Sequence, residues 1–188
     1  MTLDPTLLLS LFAALSVLLA FNLFLTLRLA RMVNALARAR LPDTVPIGEP
    51  LPRFRARRLV DGRRVRSDAL LGDEAAVLVF VSPGCKACLA RQPELDRMRP
   101  LMDEAGVALW VVAQGRPQRL RDYFASTVLL PRVLRVGDRD MRRLNPKYSA
   151  PFYIFVGADG VVQASGQVGD DNWLSFRDQI GDADPPAD

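Results

Sequence analysis

The chain of 188 residues contains no histidine. Histidine is the usual base beside a serine or cysteine nucleophile, and its imidazole is the commonest side-chain ligand of transition metals. Ser-His and Cys-His catalytic pairs, imidazole metal centres and histidine proton relays are therefore excluded within this chain. Nucleophilic or acid–base chemistry must rely on cysteine, carboxylate, lysine or tyrosine side chains.

Cysteine is almost as scarce, because the only two are Cys85 and Cys88 in the stretch "SPGCKAC". A structural zinc site needs four ligands of the cysteine or histidine type, which one chain cannot supply, although a site shared between two chains stays open. A purely structural disulfide would close a very small loop and would remove little entropy from the unfolded chain. The spacing therefore favours a redox-active pair.

Lysine is also rare, so that apart from Lys86 and Lys147 the basic side chains are arginines, and the net charge is +4. Acidic residues are scattered through the same segments, and no basic motif interleaved with aromatics is present, so no nucleic-acid partner is predicted. The stretch "RRLVDGRRVR" (57–66) predicts a hairpin that turns at Asp61-Gly62. Its arginines are interpreted as the solvent-facing side of edge strands, with a contact to anionic lipid as the alternative.

Charge is nearly absent from the first thirty residues. The run from Leu7 to Leu27 carries none, and at about 1.5 Å per residue it spans roughly 30 Å, the thickness of a bilayer core. A cleavable signal peptide needs a basic start and a shorter apolar core, whereas Asp4 and no basic residue precede this run. Residues 1–30 are predicted to be a single-pass transmembrane anchor in a lipid bilayer, although "ARA" at 37–39 leaves cleavage as an alternative.

The rest of the chain predicts a linker over residues 31–46, a globular domain over 47–180 and a disordered tail over 181–188. Strands are predicted at 75–81, 107–113 and 132–137 and as a pair within 151–166, and helices from Cys85 to about Met98, at 117–126 and at 171–180. Strands that alternate with helices in this way indicate an α/β fold with a mixed sheet flanked by helices.

The predicted elements place the two cysteines in different environments. The buried strand "AAVLVFV" leads to Gly84, and the following helix has Cys85 at its N-terminus, where unpaired N–H groups and the helix dipole favour a thiolate. Cys88 lies nearly one turn further on and is shielded. We therefore expect Cys85 to attack a partner disulfide and Cys88 to resolve the mixed disulfide.

Several separate motifs resemble the thioredoxin superfamily, and more narrowly its membrane-anchored TlpA/ResA-like thiol–disulfide proteins. They are "GEPLPRF" from Gly48 to Phe54, Pro93 five residues after Cys88, and "YSAPFYIFVGADG". The resemblance implies a thioredoxin-like fold with a TlpA-type insertion before Pro151. It further implies that Pro151 follows a cis peptide bond, that the Ala150 backbone pairs with a substrate peptide, and that no cofactor is needed.

The chain departs from the common pattern of this superfamily at two places. The tryptophan usual before the first cysteine is missing, and the form Ser-Pro-Gly-Cys resembles most the methylamine-utilisation accessory protein MauD. Val79 stands where the superfamily places a buried acid, so proton transfer from Cys88 needs another group, for which Asp122 is a candidate.

The predicted function is a membrane-tethered thiol–disulfide oxidoreductase that exchanges disulfides with protein substrates and with a membrane or soluble redox partner. The resemblance implies an extracytoplasmic domain that matures proteins such as cytochromes or methylamine dehydrogenase, whereas Arg28 and Arg31 after the apolar run favour the cytoplasmic side. One alternative is a peroxiredoxin-like thiol peroxidase, whose motif Ser82 and Cys85 fit, although Leu78 replaces its proline. The other is a non-catalytic accessory protein.

Overall fold

The computed structural model describes residues 5–39 and 44–181. Its internal contacts divide the chain into two compact units. One holds the N-terminal helix, and the other holds every remaining element. The predicted tail lies outside the described residues except for Gly181, which ends the last helix.

The first unit is helix α1, Pro5–Ala39. The window Leu11–Val33 is long and apolar enough to cross a membrane, with a mean hydropathy of 2.0, and none of it is buried. The Thr26 hydroxyl donates to the Asn22 carbonyl at 2.8 Å, so this polar side chain is satisfied within the helix. The helix is therefore a candidate membrane span, and it continues into the first part of the predicted linker.

The second unit contains seven strands, five α-helices and one short 3-10 turn in the described residues. The strands are β1 (Arg55–Arg58), β2 (Arg64–Arg66), β3 (Ala75–Val81), β4 (Val107–Ala113), β5 (Val133–Val136), β6 (Phe152–Val156) and β7 (Val162–Gln167). The helices are α2 (Ser67–Leu71), α3 (Lys86–Glu104), α4 (Pro117–Phe124), α5 (Asp138–Leu144) and α6 (Asp171–Gly181), and the 3-10 turn is Leu130–Arg132.

All seven strands form one mixed sheet in the order β2-β1-β5-β4-β3-β6-β7. Strands β3, β4 and β5 are parallel, whereas β1, β2, β6 and β7 pair antiparallel with their neighbours. The chain between β4 and β6 forms α4, β5 and α5, so an additional strand and two helices occupy the segment predicted to hold the insertion. The predicted α/β fold class and the β1–β2 hairpin are confirmed.

The core has two layers, one on each face of the sheet. Val77, Val79 and Val81 of β3 pack against α3, α4 and α6, together with Cys88. Leu78 and Phe80, which point to the opposite face, pack against α5 and the segment before β1. Because both faces are covered, β3 reads as a continuous apolar run.

Helix α3 extends beyond its predicted end near Met98, through Pro100 to Glu104. A proline usually marks a boundary because the residue before it avoids the helical region. Here the last turn is held by Met102, which is fully buried, and by ion pairs from Arg99 and Arg132 to Asp103 at 3.0 and 2.8 Å. Tertiary packing therefore overrides the local signal.

Candidate redox site

The first cysteine is presented by a tight turn at the carboxyl end of β3. The Cys85 amide donates to the Ser82 carbonyl at 3.0 Å, which closes the turn. Gly84 has φ +94°, a conformation that residues with a side chain rarely adopt. The glycine therefore lets the chain reverse from the buried strand directly into α3.

Cys85 is the N-cap of α3, and its sulfur is half-buried. The Cys88 amide donates to the Cys85 Sγ at 3.1 Å, and the Cys85 thiol lies 3.5 Å from the Ala150 carbonyl, to which it donates. An N–H donor at a helix N-terminus stabilises negative charge on the sulfur. The geometry thus suits Cys85 to act as the attacking sulfur.

Cys88 lies in a different environment, because its side chain is only 2% exposed and packs in the core layer beneath the turn. Burial, followed by the hydrogen bond with Cys85, raises the pKa of the Cys88 thiol to about 12. Cys88 therefore stays a protonated thiol at neutral pH. Both cysteines are free thiols in the structure, one accessible and one not.

A second loop faces the turn and ends in the cis Ala150-Pro151 peptide bond, which confirms the cis prediction. Asn145, which is 1% exposed, braces this loop. Its Nδ2 donates to the Ser149 carbonyl at 2.7 Å, and its Oδ1 accepts from the Ser149 amide at 2.9 Å. Within the described part of the chain the Ala150 amide has no hydrogen-bond partner, so it is available to an incoming strand.

Helix α4 brings Arg119 and Tyr123 to the site, two residues that were not predicted from the sequence. The Arg119 guanidinium lies 3.5 Å from the place that a Cβ on Gly84 would occupy, so a positive charge stands beside the turn. Tyr123 packs against the core layer that contains Cys88, and its buried hydroxyl has no partner in the described residues. Burial and the charges of Cys88 and Cys85 raise the pKa of Tyr123 to about 12.

Asp122, the predicted proton-transfer candidate, is exposed and accepts a hydrogen bond from Gln118 of its own helix at 2.9 Å. The neighbouring Tyr123 lies closer to the pair, since the charges of Cys88 and Cys85 both raise the pKa of its hydroxyl. The signal that would have found it is the amphipathic pattern of α4: Leu120 and Phe124 point into the core, and Tyr123 borders them.

The middle of α3 is fixed against α6 by a group of polar contacts next to Pro93. The Trp173 indole donates to Glu94 at 2.9 Å, and Arg91 forms an ion pair with the same carboxylate at 2.8 Å. Burial raises the pKa of Glu94, but these hydrogen bonds outweigh it and lower the pKa overall. Trp173 itself is fully buried, so these contacts hold the cysteine-bearing helix in place.

Metal chemistry has no ligand set here, because residues 5–39 and 44–181 contain no group of three or more Cys, Asp or Glu side chains able to hold an ion. Leu78, which replaces the peroxidase proline, is fully buried in β3 and faces the core layer opposite Cys88. The arrangement of two thiols, a cis-proline loop and an unpaired amide is suited to disulfide exchange with a polypeptide.

Comparison with known proteins identifies the fold. No protein-family model and no curated protein matches the chain. Among solved structures, the thioredoxin domain of a thiol-disulfide oxidoreductase from Bacteroides vulgatus matches with a TM-score of 0.62 and 16% identity, covering 73% of this chain and 99% of that one. The fold is thioredoxin-like.

Two further solved structures match the same fold. A thioredoxin-family thiol:disulfide interchange protein from Chlorobium tepidum matches with a TM-score of 0.59 and 18% identity over 72% of this chain and 96% of that chain. A secreted Mycobacterium tuberculosis disulfide oxidoreductase, described as homologous to E. coli DsbE, matches with a TM-score of 0.53 and 20% identity over 68% and 94%. At these identities the likeness concerns the fold, and all three neighbours are named for thiol–disulfide chemistry.

Proposed function

We propose that this protein is a membrane-tethered thiol–disulfide oxidoreductase that acts on protein disulfides through Cys85 and Cys88. The observation that carries the proposal is the asymmetry of the pair. Cys85 is accessible at a helix N-terminus with a donor amide at 3.1 Å, whereas Cys88 is buried directly beneath it. The names of the structural neighbours support the same chemistry.

In the reducing direction, the Cys85 thiolate attacks one sulfur of a substrate disulfide, which forms a mixed disulfide and releases the other sulfur as a thiolate. Cys88 then gives up its proton, which passes to the released thiolate, and attacks Cys85. The substrate sulfur leaves as the second thiolate and takes a proton from water. The substrate gains two electrons and the protein retains a Cys85–Cys88 disulfide, so the reverse sequence oxidises a dithiol.

The Ala150 backbone is the proposed substrate contact. Its carbonyl accepts from the Cys85 thiol at 3.5 Å and its amide is unpaired in the described residues, and an extended peptide can add to such an edge through main-chain hydrogen bonds. A small cleft beside it is lined by Phe80, Ser82 and Tyr148. A substrate side chain next to the disulfide would occupy this cleft.

Helix α1 is proposed to tether the domain to a bacterial membrane as a single span, with the redox site on the extracytoplasmic side. The support is the apolar window Leu11–Val33 together with the motif resemblance to membrane-anchored TlpA-like proteins and to MauD. On that side the substrates would be proteins that acquire disulfides outside the cytoplasm, such as cytochromes or methylamine dehydrogenase. Reporter fusions on either side of α1 test this placement, and a cytoplasmic domain would remove the maturation role.

Trapping of mixed disulfides tests the exchange reaction itself. The variant Cys88→Ser cannot complete the second step, so it should accumulate covalent complexes through Cys85 that separate on reduction. The matched control is Cys85→Ser, which should trap none. If Cys88→Ser traps no protein in either compartment, the exchange function is wrong.

Peroxide consumption distinguishes the alternative enzyme class. A thiol peroxidase would convert Cys85 to a sulfenic acid with hydrogen peroxide before any disulfide forms. We expect slow reaction with peroxide and fast reaction with a peptide disulfide. If Cys85→Ala leaves a cellular phenotype unchanged, the accessory-protein alternative replaces both.

A further inference from the structure

An unusual concentration of arginine lies at the β2 edge of the sheet, on strands β1, β2 and β5. In the β1–β2 pair Arg55 stands opposite Arg66, and Arg57 stands opposite Arg64. The pairing of β1 with β5 places Arg135 opposite Arg57 on the other side. Directly paired residues point to the same face, so the five side chains share one face, called here the arginine face: Arg55, Arg57, Arg64, Arg66 and Arg135.

The alternate positions confirm this orientation. Ala56, which lies between Arg55 and Arg57, and Val136, which follows Arg135, are both buried on the opposite face. All five arginines belong to the lining of an open groove, which also includes Ala56, Val65, Val136, Gly137 and Asp140. Asp140 accepts a hydrogen bond from the Arg55 amide. The groove is therefore strongly positive.

Little within the described residues neutralises this charge. Arg66 has an exposed ion pair with Asp68 at 3.4 Å, whereas Arg55, Arg57 and Arg135 form no ion pair with any residue of 5–39 or 44–181. Like charges directly opposite each other in a sheet are destabilising. An arrangement that accepts this repulsion suits a surface that receives negative charge from a partner.

The sheet register connects the arginine face to the redox turn. Val81, which ends β3, is paired with Ala113, and Ala113 is paired with Arg135. The row then continues through Arg57 to Arg64, four strand spacings or about 19 Å from β3. Because β3, β4 and β5 are parallel, the row lies at the same carboxyl-terminal end of the sheet as Cys85.

Positive charge also lies at the redox turn. Arg119 stands beside Gly84, and the exposed Lys86 follows Cys85 directly. The acidic side chains nearest to the row in sequence are engaged elsewhere: Asp138 is hydrogen-bonded to Arg142, and Asp61 contacts Arg58 at 3.9 Å. Basic groups thus occur both at the redox turn and along the row that leads away from it.

We propose that the arginine face binds an acidic segment of the partner protein whose disulfide reacts at Cys85. Carboxylates accept paired hydrogen bonds from guanidinium groups, which explains the use of arginine at these positions. A segment of about six extended residues would reach from the redox turn to the far arginines. The reaction of such a segment rests on the exchange function proposed above, but its binding does not.

Fluorescence anisotropy with the full chain in neutral nanodiscs tests the binding directly. The probes are two labelled, cysteine-free peptides of equal length, one rich in glutamate and one with glutamine at the same positions. We expect the acidic peptide to bind about tenfold more tightly at low salt, with the difference shrinking as salt is added. Arg57→Gln/Arg64→Gln should remove most of that preference. The control Arg97→Gln/Arg121→Gln changes the same amount of charge at exposed positions elsewhere and should keep it.

The outcomes separate the two proposals. Equal binding of both peptides, or a preference that survives in Arg57→Gln/Arg64→Gln, overturns the arginine face as an acidic-segment site. Binding to anionic vesicles through these two arginines without binding to the acidic peptide also overturns it, in favour of a lipid surface. Loss of peptide preference together with unchanged reduction of a small neutral disulfide supports the proposal. Absence of any disulfide exchange with intact peptide binding would instead reject the exchange function alone.

Discussion

Cys85 and Cys88 are separated by two residues, yet they lie in opposite environments. Cys85 is half-exposed, between the amide of Cys88 and the carbonyl of Ala150, whereas Cys88 is 2% exposed in a core layer with a thiol pKa raised to about 12. The difference arises because a helix presents its N-cap to solvent while a residue three positions further turns inward. Two identical side chains therefore acquire the separate roles of attack and resolution.

Replacement of Cys85 has the largest expected effect on this comparison. Cys85→Ser should reduce disulfide exchange to the uncatalysed rate, because the buried Cys88 cannot reach a substrate in its place. Exchange with a fluorescent peptide disulfide measures this directly. Substantial exchange by Cys85→Ser, at more than a few per cent of the wild-type rate, would show that the two thiols are interchangeable.

Asn145→Ala should loosen the loop before Pro151, which faces the exposed Cys85, and should leave the surroundings of the buried Cys88 unchanged. Two hydrogen bonds to Ser149 are lost, and the Ser149 groups are left unpaired, which costs about 2–3 kcal/mol in the free energy of unfolding. Urea denaturation measures that loss. Exchange with peptides should fall because Ala150 is no longer held against Cys85. Thr127→Ala, which removes a partly buried turn hydrogen bond to the Phe124 carbonyl, is the control and should leave exchange unchanged.

Alkaline pH should lower the free energy of unfolding of the reduced protein, because the buried Cys88 thiol ionises less readily in the folded state than in the unfolded state. The folded pKa of Cys88, about 12, lies above its ordinary value of 9, so the stabilisation is fully present below pH 9 and is lost as the pH rises toward 12. The slope contributed by one such group is at most about 1.4 kcal/mol per pH unit. Denaturation of the reduced protein and of Cys88→Ala between pH 8 and about 10.5 isolates it. Parallel curves for the two proteins would contradict the burial argument.

Tyr123→Phe should have the smallest effect and should act on the buried side of the pair. The hydroxyl has no partner in the described residues, so its removal should change the stability of the reduced protein by less than about 1 kcal/mol. Because Tyr123 packs against the core layer that contains Cys88, loss of its hydroxyl should slow the second step and lengthen the lifetime of the mixed disulfide a few-fold. Stopped-flow fluorescence with a peptide disulfide measures that lifetime. An unchanged lifetime would remove Tyr123 from the site.

Local patterns predicted the strand 75–81, whose two faces are both buried, and the position of Cys85 at the start of the following helix. The cis peptide bond before Pro151 was predicted from the resemblance of its segment to the thioredoxin superfamily. Helix α3 was predicted too short, because Met102 and Asp103 hold its last turn through contacts that are distant in the chain. Short-range signals are therefore reliable where packing agrees with them.

Features that depend on long-range pairing escaped prediction. The hairpin arginines were recognised, but the pairing of β1 with β5 adds Arg135 to them and aligns the row with the redox turn. Tyr123 and Asn145 are ordinary residues in the sequence and acquire their roles only when α4 and the loop before Pro151 pack near the cysteines. A local sequence pattern does not indicate which distant segments come into contact in the fold.

The most direct test of the central claim is alkylation of the reduced, folded protein with iodoacetamide at pH 7, followed by peptide mass spectrometry. The asymmetry of the pair predicts rapid modification of Cys85 alone, with Cys88 modified only after unfolding in guanidinium chloride. Modification of Cys88 at a comparable rate in the folded protein would contradict the assignment of an exposed attacking thiol and a buried resolving one.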